Sequence, residues 1–84
     1  MPDVFTVVVD LVEQVTGIPA DELGEGTNFE RLGGWTSLEA LRLLTAVEDT
    51  LGVRLDLRTY FAAATIADLV ALIHAGLAAR QRPA

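Results

Sequence analysis

The chain has 84 residues, and its 51% hydrophobic and 21% charged content is typical of one small globular domain, here residues 1–84. The absence of cysteine and the single histidine exclude a thiolate metal site and leave little for a catalytic triad, so we expect no metal and no enzyme activity. The net charge of −6 makes nucleic acid a poor partner, because binding phosphates requires a basic surface.

The first predicted element is a helix over about residues 3–16. Valine and threonine favour strands locally, but the apolar side chains recur at helical spacing: Phe5, Val8, Val12 and Val15. Gly17 supplies a C-terminal stop. Residues 1–30 contain seven acidic residues and no basic one: Asp3, Asp10, Glu13, Asp21, Glu22, Glu25 and Glu30. These acidic residues form either a solvated face or a docking surface for a basic protein partner.

A long loop is predicted over residues 18–36, because this stretch contains Pro19 and four glycines: Gly24, Gly26, Gly33 and Gly34. A loop of this length exceeds the usual connection, so we expect it to be functional or held to the core by its own side chains. The candidate anchors are apolar: Ile18, Leu23, Phe29 and Leu32.

A second helix is predicted over residues 37–51 and ends at Gly52. Its expected core positions lie at helical spacing: Leu41, Leu44, Val47 and Leu51. Thr36 and Glu39 form a capping-box pattern, in which the threonine oxygen accepts from the N–H of residue 39 and the glutamate reaches back to the N–H of residue 36. Thr36 is then the N-cap, and Ser37 occupies the first helical position with a free hydroxyl.

A short third helix of one or two turns is predicted over residues 57–62, and a fourth helix begins after Thr65, with Asp68 completing its cap. The buried stripe of the fourth helix is Ile66, Leu69, Val70, Ile73 and Leu77. Arg80 and Arg82 lie at its C-terminal end, where the helix dipole favours cations, and residues 81–84 are expected to fray. The predicted fold is all-α, a four-helix bundle with three longer helices, a short third helix and a long first loop.

No stretch approaches the roughly 20 apolar residues that span a bilayer, and the N-terminus is acidic where a signal peptide would be basic. We therefore expect a cytoplasmic protein, monomeric and without a membrane partner. His74, in the fourth helix, is expected at the surface or the edge of the bundle.

Ser37 is the single serine of the chain. A helix N-terminus offers unpaired N–H groups and a positive dipole potential, which stabilise a phosphate. Gly33 and Gly34 remove side-chain bulk from the approach. The stretch would suit a phosphate-linked group, although the local pattern alone favours an ordinary first-turn serine.

An ordered set of motifs surrounds this serine: Ser37-Leu38, then Glu48, Gly52-Val53 and Thr65-Ile66. Together with the stretch GIPADELGEGTNF before them, these motifs resemble the acyl and peptidyl carrier protein family over nearly the whole chain. The resemblance implies a four-helix bundle in which Ser37 receives 4'-phosphopantetheine from coenzyme A through a magnesium-dependent phosphopantetheinyl transferase. The thiol of that arm would carry acyl or aminoacyl groups as thioesters, so the protein would be a carrier and not a catalyst.

The resemblance also implies partner enzymes that load or tailor the cargo: ligase or adenylation enzymes, acyltransferases, and ketosynthases or condensation enzymes. Candidate partner contacts are Trp35, Thr36, Leu38, Glu39, Arg42, Glu48, Asp49, Tyr60 and Phe61. For Glu48 and Asp49, simple helix-end solvation is an equal alternative. Trp35 could shield the root of the arm or dock partners, but we favour packing over the loop. Tyr60 and Phe61 could touch the arm or its cargo, and we expect at least one of them in the core.

The sequence departs from the family pattern at three positions. The aspartate that usually precedes the serine is Thr36, Leu32 lies one residue further from the serine, and Arg42 interrupts the acidic face of a fatty-acid carrier. We therefore favour polyketide or nonribosomal peptide biosynthesis, including antibiotic pathways. The alternatives are an unmodified helical interaction module and, less well supported, a serine hydrolase, for which the G-x-S-x-G elbow is missing.

Overall fold

Four α-helices make up the structure, a computed structural model that describes residues 3–80. They are α1 (Val4–Thr16), α2 (Ser37–Leu51), α3 (Leu57–Ala62) and α4 (Ile66–Arg80). The predicted all-α, four-helix fold is confirmed. The predicted long loop between α1 and α2 also contains two short 3-10 turns, Ala20–Glu22 and Phe29–Arg31. Within residues 3–80, no helix combines the length and apolar character needed to cross a membrane.

Helix α1 forms despite its valines because packing outweighs local strand propensity. The Asp3 carboxylate caps the first turn by accepting from the Thr6 N–H at 2.9 Å. Gly17, with φ +79°, ends the helix in the left-handed region, and its N–H donates to the Glu13 carbonyl at 2.7 Å. The helix packs against both α2 and α4.

The core is apolar except for the Tyr60 hydroxyl, and no charged side chain is buried among residues 3–80. Its largest fully buried side chains come from α1, α2 and α4: Val8, Val12, Leu43, Val47, Ile66, Leu69 and Ile73. Of the four predicted loop anchors, Leu23 and Phe29 are buried, while Ile18 and Leu32 are half-buried and pack against this core. Any chemistry of this protein must therefore take place at its surface.

The predicted core face of α2 was wrong at one position. Leu41 is 43% exposed, whereas Leu43 is 0% exposed, and Ala40 is also buried. The reason is that α2 has more leucines than one face can bury, so the sequence allowed two overlapping stripes. Packing against α1 selects the stripe that contains Leu43 and leaves Leu41 beside Leu38 on the outer side.

The long loop is fastened to the start of α4 by backbone hydrogen bonds. The first two N–H groups of α4, those of Ile66 and Ala67, donate to the carbonyls of Thr27 at 3.0 Å and Glu25 at 2.9 Å. A helix start normally leaves such groups without partners. The loop therefore caps α4, and α4 in turn holds the loop in place.

The predicted Thr65–Asp68 cap of α4 is present: Thr65 Oγ1 accepts from the Asp68 N–H at 3.2 Å. The stripe of α4 is also as predicted, with Ile66, Leu69 and Ile73 buried and Val70 and Leu77 half-buried. His74 is exposed, as expected.

The end of α4 is also tied to α2. The Arg80 guanidinium donates to the carbonyls of Leu51, at 3.4 Å, and Gly52, at 3.0 Å. Arg80 thus caps the C-terminus of α2, a role that the sequence did not indicate. Arg82 and the expected frayed tail, residues 81–84, lie outside the described residues.

Candidate functional site

Ser37 is the first residue of α2, and its side chain is exposed. Thr36 is the N-cap, as predicted, and its Oγ1 accepts from the Glu39 N–H at 3.3 Å. The Glu39 carboxylate accepts from the Thr36 hydroxyl at 3.5 Å, where the expected capping box would pair it with the backbone N–H of residue 36. Because Thr36 performs the capping, the Ser37 hydroxyl remains available to an incoming reactant.

The backbone next to this hydroxyl carries open donors. The Thr36 carbonyl accepts from Ala40 at 3.0 Å, but within residues 3–80 no hydrogen bond occupies the N–H of Ser37 or of Leu38. The corresponding groups of α4 are filled by loop carbonyls. Two free N–H groups and the positive end of the helix dipole therefore lie beside the Ser37 hydroxyl, where they would stabilise a phosphate ester.

The chain approaches Ser37 through a tight turn. Gly34 has φ +77°, a conformation that favours glycine, and Gly33 and Gly34 have no neighbouring atoms where a Cβ would lie. Trp35 follows, half-buried, and its ring stacks on Phe29 with centroids 5.1 Å apart and planes 20° apart. The interpretation of Trp35 as a residue that packs over the loop is confirmed, and the space in front of the serine is open.

A groove of about 490 Å³, open to solvent, begins at Ser37. It runs between the start of α2, the loop and the end of α3. Its lining is mostly apolar: Phe29, Glu30, Trp35, Thr36, Ser37, Ala40, Tyr60, Phe61, Ala62, Ala63 and Ala64. We refer to this feature as the serine groove. Sequence reasoning missed its alanine wall, for which the run of three alanines between Phe61 and Thr65 was the available clue.

Tyr60 forms the inner side of the serine groove. Its side chain is only 4% exposed, and its hydroxyl donates to the Ala40 carbonyl of α2. Burial raises the pKa of the Tyr60 phenol, so the group stays protonated and keeps this bond at neutral pH. The expectation that at least one of Tyr60 and Phe61 lies in the core is confirmed by Tyr60, which leaves little of this side chain for a partner. Phe61 stands edge-on to it, with ring centroids 5.4 Å apart, and remains 47% exposed.

The other candidate contacts lie along the outer side of α2. Leu38 is 55% exposed, Glu39 is half-buried, and Arg42 is exposed. Leu41, which the sequence assigned to the core, joins this outer surface. Leu38, Leu41 and Arg42 therefore offer an apolar surface with a positive charge within one to two turns of Ser37.

Glu48 and Asp49 lie at the far end of α2, about 16 Å along the helix axis from Ser37 at the usual rise per residue. The half-buried Glu48 carboxylate accepts from the Leu55 N–H at 2.9 Å and so orders the chain between α2 and α3. Glu48 therefore has a structural role, and a partner contact there stays a prediction. Asp49 is exposed, and it remains a candidate.

The seven acidic residues of the N-terminal third are all exposed, and they are spread over α1 and the loop. Asp3 serves as the cap of α1. The acidic segment is therefore solvent-facing, and its last member, Glu30, lines the serine groove.

A four-helix bundle with an exposed serine at an open helix end has the form of a carrier protein. The sequence profile of the phosphopantetheine attachment site matches residues 6–73. The chain is 30% identical over 79 residues to acyl carrier protein 3 of Ralstonia nicotianae, an alignment that covers 94% of this chain and 91% of that protein. The chain belongs to the acyl carrier protein family, and its cofactor is covalently attached 4'-phosphopantetheine.

Proposed function

We propose that Ser37 is the residue that bears 4'-phosphopantetheine, and that the protein serves a polyketide, nonribosomal peptide or related specialised pathway. The observation that carries the proposal is the position of the chain's single serine, exposed at the start of α2 beside two open backbone N–H groups. The attachment-site profile spans this residue.

In the proposed modification, Ser37 Oγ attacks the phosphorus of coenzyme A that bears the pantetheine. A new O–P bond forms, the phosphoanhydride bond breaks, and adenosine 3',5'-bisphosphate leaves, while the hydroxyl proton passes to a base of the transferase. The N–H groups of Ser37 and Leu38 would then face the phosphodiester. When bound, the cofactor supplies the thiol that carries acyl or aminoacyl groups as thioesters.

The proposed partners are a phosphopantetheinyl transferase and the enzymes that load or tailor the cargo. The exposed surface of Leu38, Leu41 and Arg42 would meet them beside the attachment point. Arg42 places a positive charge on this surface, which supports a specialised pathway over housekeeping fatty-acid synthesis. We further propose that the carrier acts as a cytoplasmic monomer.

The test is co-expression with a transferase of broad specificity, followed by intact-mass measurement. One phosphopantetheine should be added to the wild-type chain and none to Ser37→Ala. A chain that gains no mass with any of several transferases would contradict the proposal. If it also binds a basic partner in a salt-sensitive way that survives Ser37→Ala, the unmodified interaction module becomes the better interpretation.

A further inference from the structure

We propose that Glu30 supplies a negative charge by which a phosphopantetheinyl transferase binds the Ser37 end of the protein, through a basic side chain of that enzyme. Because Ser37 is taken as the residue that the transferase modifies, this inference rests on the proposed function. It adds a specificity-determining residue that lies in the loop and not on α2.

Glu30 gives the serine groove its charge. Among the residues of the described chain that line this groove, Glu30 alone is charged. Its side chain is exposed, and its carboxylate accepts no hydrogen bond from residues 3–80. The Glu39 carboxylate, by contrast, accepts from the Thr36 hydroxyl and does not line the groove. One free carboxylate therefore shares this open space with the Ser37 hydroxyl.

The loop holds Glu30 in place through its neighbours. The Glu30 N–H donates to the Asn28 side-chain oxygen at 2.9 Å, which caps the short 3-10 turn that contains Glu30. The preceding residue, Phe29, is buried, stacks on Trp35 and donates its N–H to the Ala64 carbonyl at 3.0 Å. The backbone that carries this charge is therefore fixed relative to the groove.

No arginine among residues 3–80 balances this charge within the groove. Arg31 follows Glu30 directly, but it lines a separate depression together with Asn28 and Thr65. Arg42 lies on the outer side of α2 and is likewise absent from the groove lining. A positive charge in the serine groove must therefore be supplied by a partner.

The proposed reaction requires such a positive charge. Coenzyme A brings a diphosphate to the Ser37 hydroxyl, and this anion and the Glu30 carboxylate repel each other when they share one groove. A basic side chain of the transferase placed between them attracts both groups and removes the repulsion. The position before the serine is the uncharged Thr36, where the family pattern has aspartate, so the carboxylate at this site comes from the loop instead.

The experiment measures transfer from coenzyme A by one transferase of broad specificity, followed by intact mass at varied carrier concentration. Glu30→Gln should lower kcat/KM about five-fold, mainly through a higher KM for the carrier, because exposed charge pairs act on association. Sodium chloride should slow the wild type more steeply than Glu30→Gln, since screening removes the same attraction. The matched control Glu25→Gln makes the same change of net charge in the same loop, outside the groove, and should keep the wild-type kcat/KM.

A second variant returns the charge from a different position. Thr36→Asp in the Glu30→Gln background should recover most of the lost kcat/KM, because aspartate retains the N-cap and places a carboxylate beside Ser37. The urea midpoint of Glu30→Gln should equal that of the wild type, since the exposed carboxylate that it replaces accepts no hydrogen bond from residues 3–80.

Three results would overturn this inference alone. Equal or faster transfer to Glu30→Gln, with the wild type modified at Ser37, would show that the transferase does not use this charge. An equal loss in Glu25→Gln would show that only the net charge matters. A loss that Thr36→Asp does not restore, or that accompanies a lower urea midpoint, would assign Glu30 a structural role. A wild-type chain that gains no mass would instead refute the proposed function, and the inference with it.

Discussion

Leu41 and Leu43 lie two residues apart in α2, and truncating each to alanine tests the packing of the bundle directly. Leu43 is 0% exposed, and Leu41 is 43% exposed. Removing a fully buried leucine side chain loses its transfer free energy and leaves a cavity, at a cost of about 3–5 kcal/mol. For a domain of this size, that is a large part of the total free energy of unfolding, about 4–12 kcal/mol. Leu41→Ala should cost less than about 1 kcal/mol, because much of that side chain is already in water.

The assay is urea unfolding monitored by far-ultraviolet circular dichroism. The midpoint and the dependence of the unfolding free energy on urea concentration are compared between variants. Leu43→Ala should lower the midpoint strongly at an unchanged slope, and Leu41→Ala should shift it little. Both variants replace the same residue type in the same helix, so helix propensity cancels between them. A loss of stability in Leu41→Ala equal to that in Leu43→Ala would refute the assigned core face.

Three further measurements follow from particular contacts. Glu48→Ala should lower the free energy of unfolding by about 1–3 kcal/mol, because it leaves the Leu55 N–H without its charged acceptor. The control Asp49→Ala should change the free energy of unfolding by less than about 0.5 kcal/mol. Hydrogen bonds from the backbone N–H groups of residues 64 and 65 hold the pKa of the Asp68 carboxyl below its usual 3.8. The ionised carboxylate therefore stabilises the folded protein fully above that pH, and this stabilisation is lost as the pH falls further. The difference in unfolding free energy between wild type and Asp68→Asn should shrink below about pH 4, and a difference independent of pH would contradict this role. Leu38→Ala should leave the urea midpoint unchanged and lower the kcat/KM of phosphopantetheinyl transfer about ten-fold, and full activity would remove this side chain from the docking surface.

The electrostatic setting of Ser37 supports its proposed role as the attachment site, in a small bundle that buries no charged side chain among residues 3–80. The Thr36 hydroxyl oxygen caps α2 by accepting from the Glu39 N–H, and the backbone N–H groups of Ser37 and Leu38 have no partner among residues 3–80. The aspartate that the family usually places before the serine is not needed for this geometry. Its replacement by Thr36 changes the charge that a transferase meets.

The sequence by itself determined the helices of this protein and the position of its serine. The bounds of α2 and α3 follow from local features, since a cap such as Thr36 and a left-handed glycine such as Gly52 act within one helical turn. The same local capping signals also predict that Ser37 lies at the start of a helix. The motifs of the carrier family, which span most of the chain in a fixed order, were also readable without coordinates.

The tertiary structure alone decided between competing apolar side chains in α2 and α3. Leu43 rather than Leu41 faces the core, and Tyr60 rather than Phe61, because the choice depends on how α2 and α3 are rotated against their neighbours. The bond from Arg80 to the end of α2 joins residues 28 and 29 positions apart. Such contacts depend on the relative placement of whole helices, which no local spacing pattern records, so the serine groove became visible only in the assembled bundle.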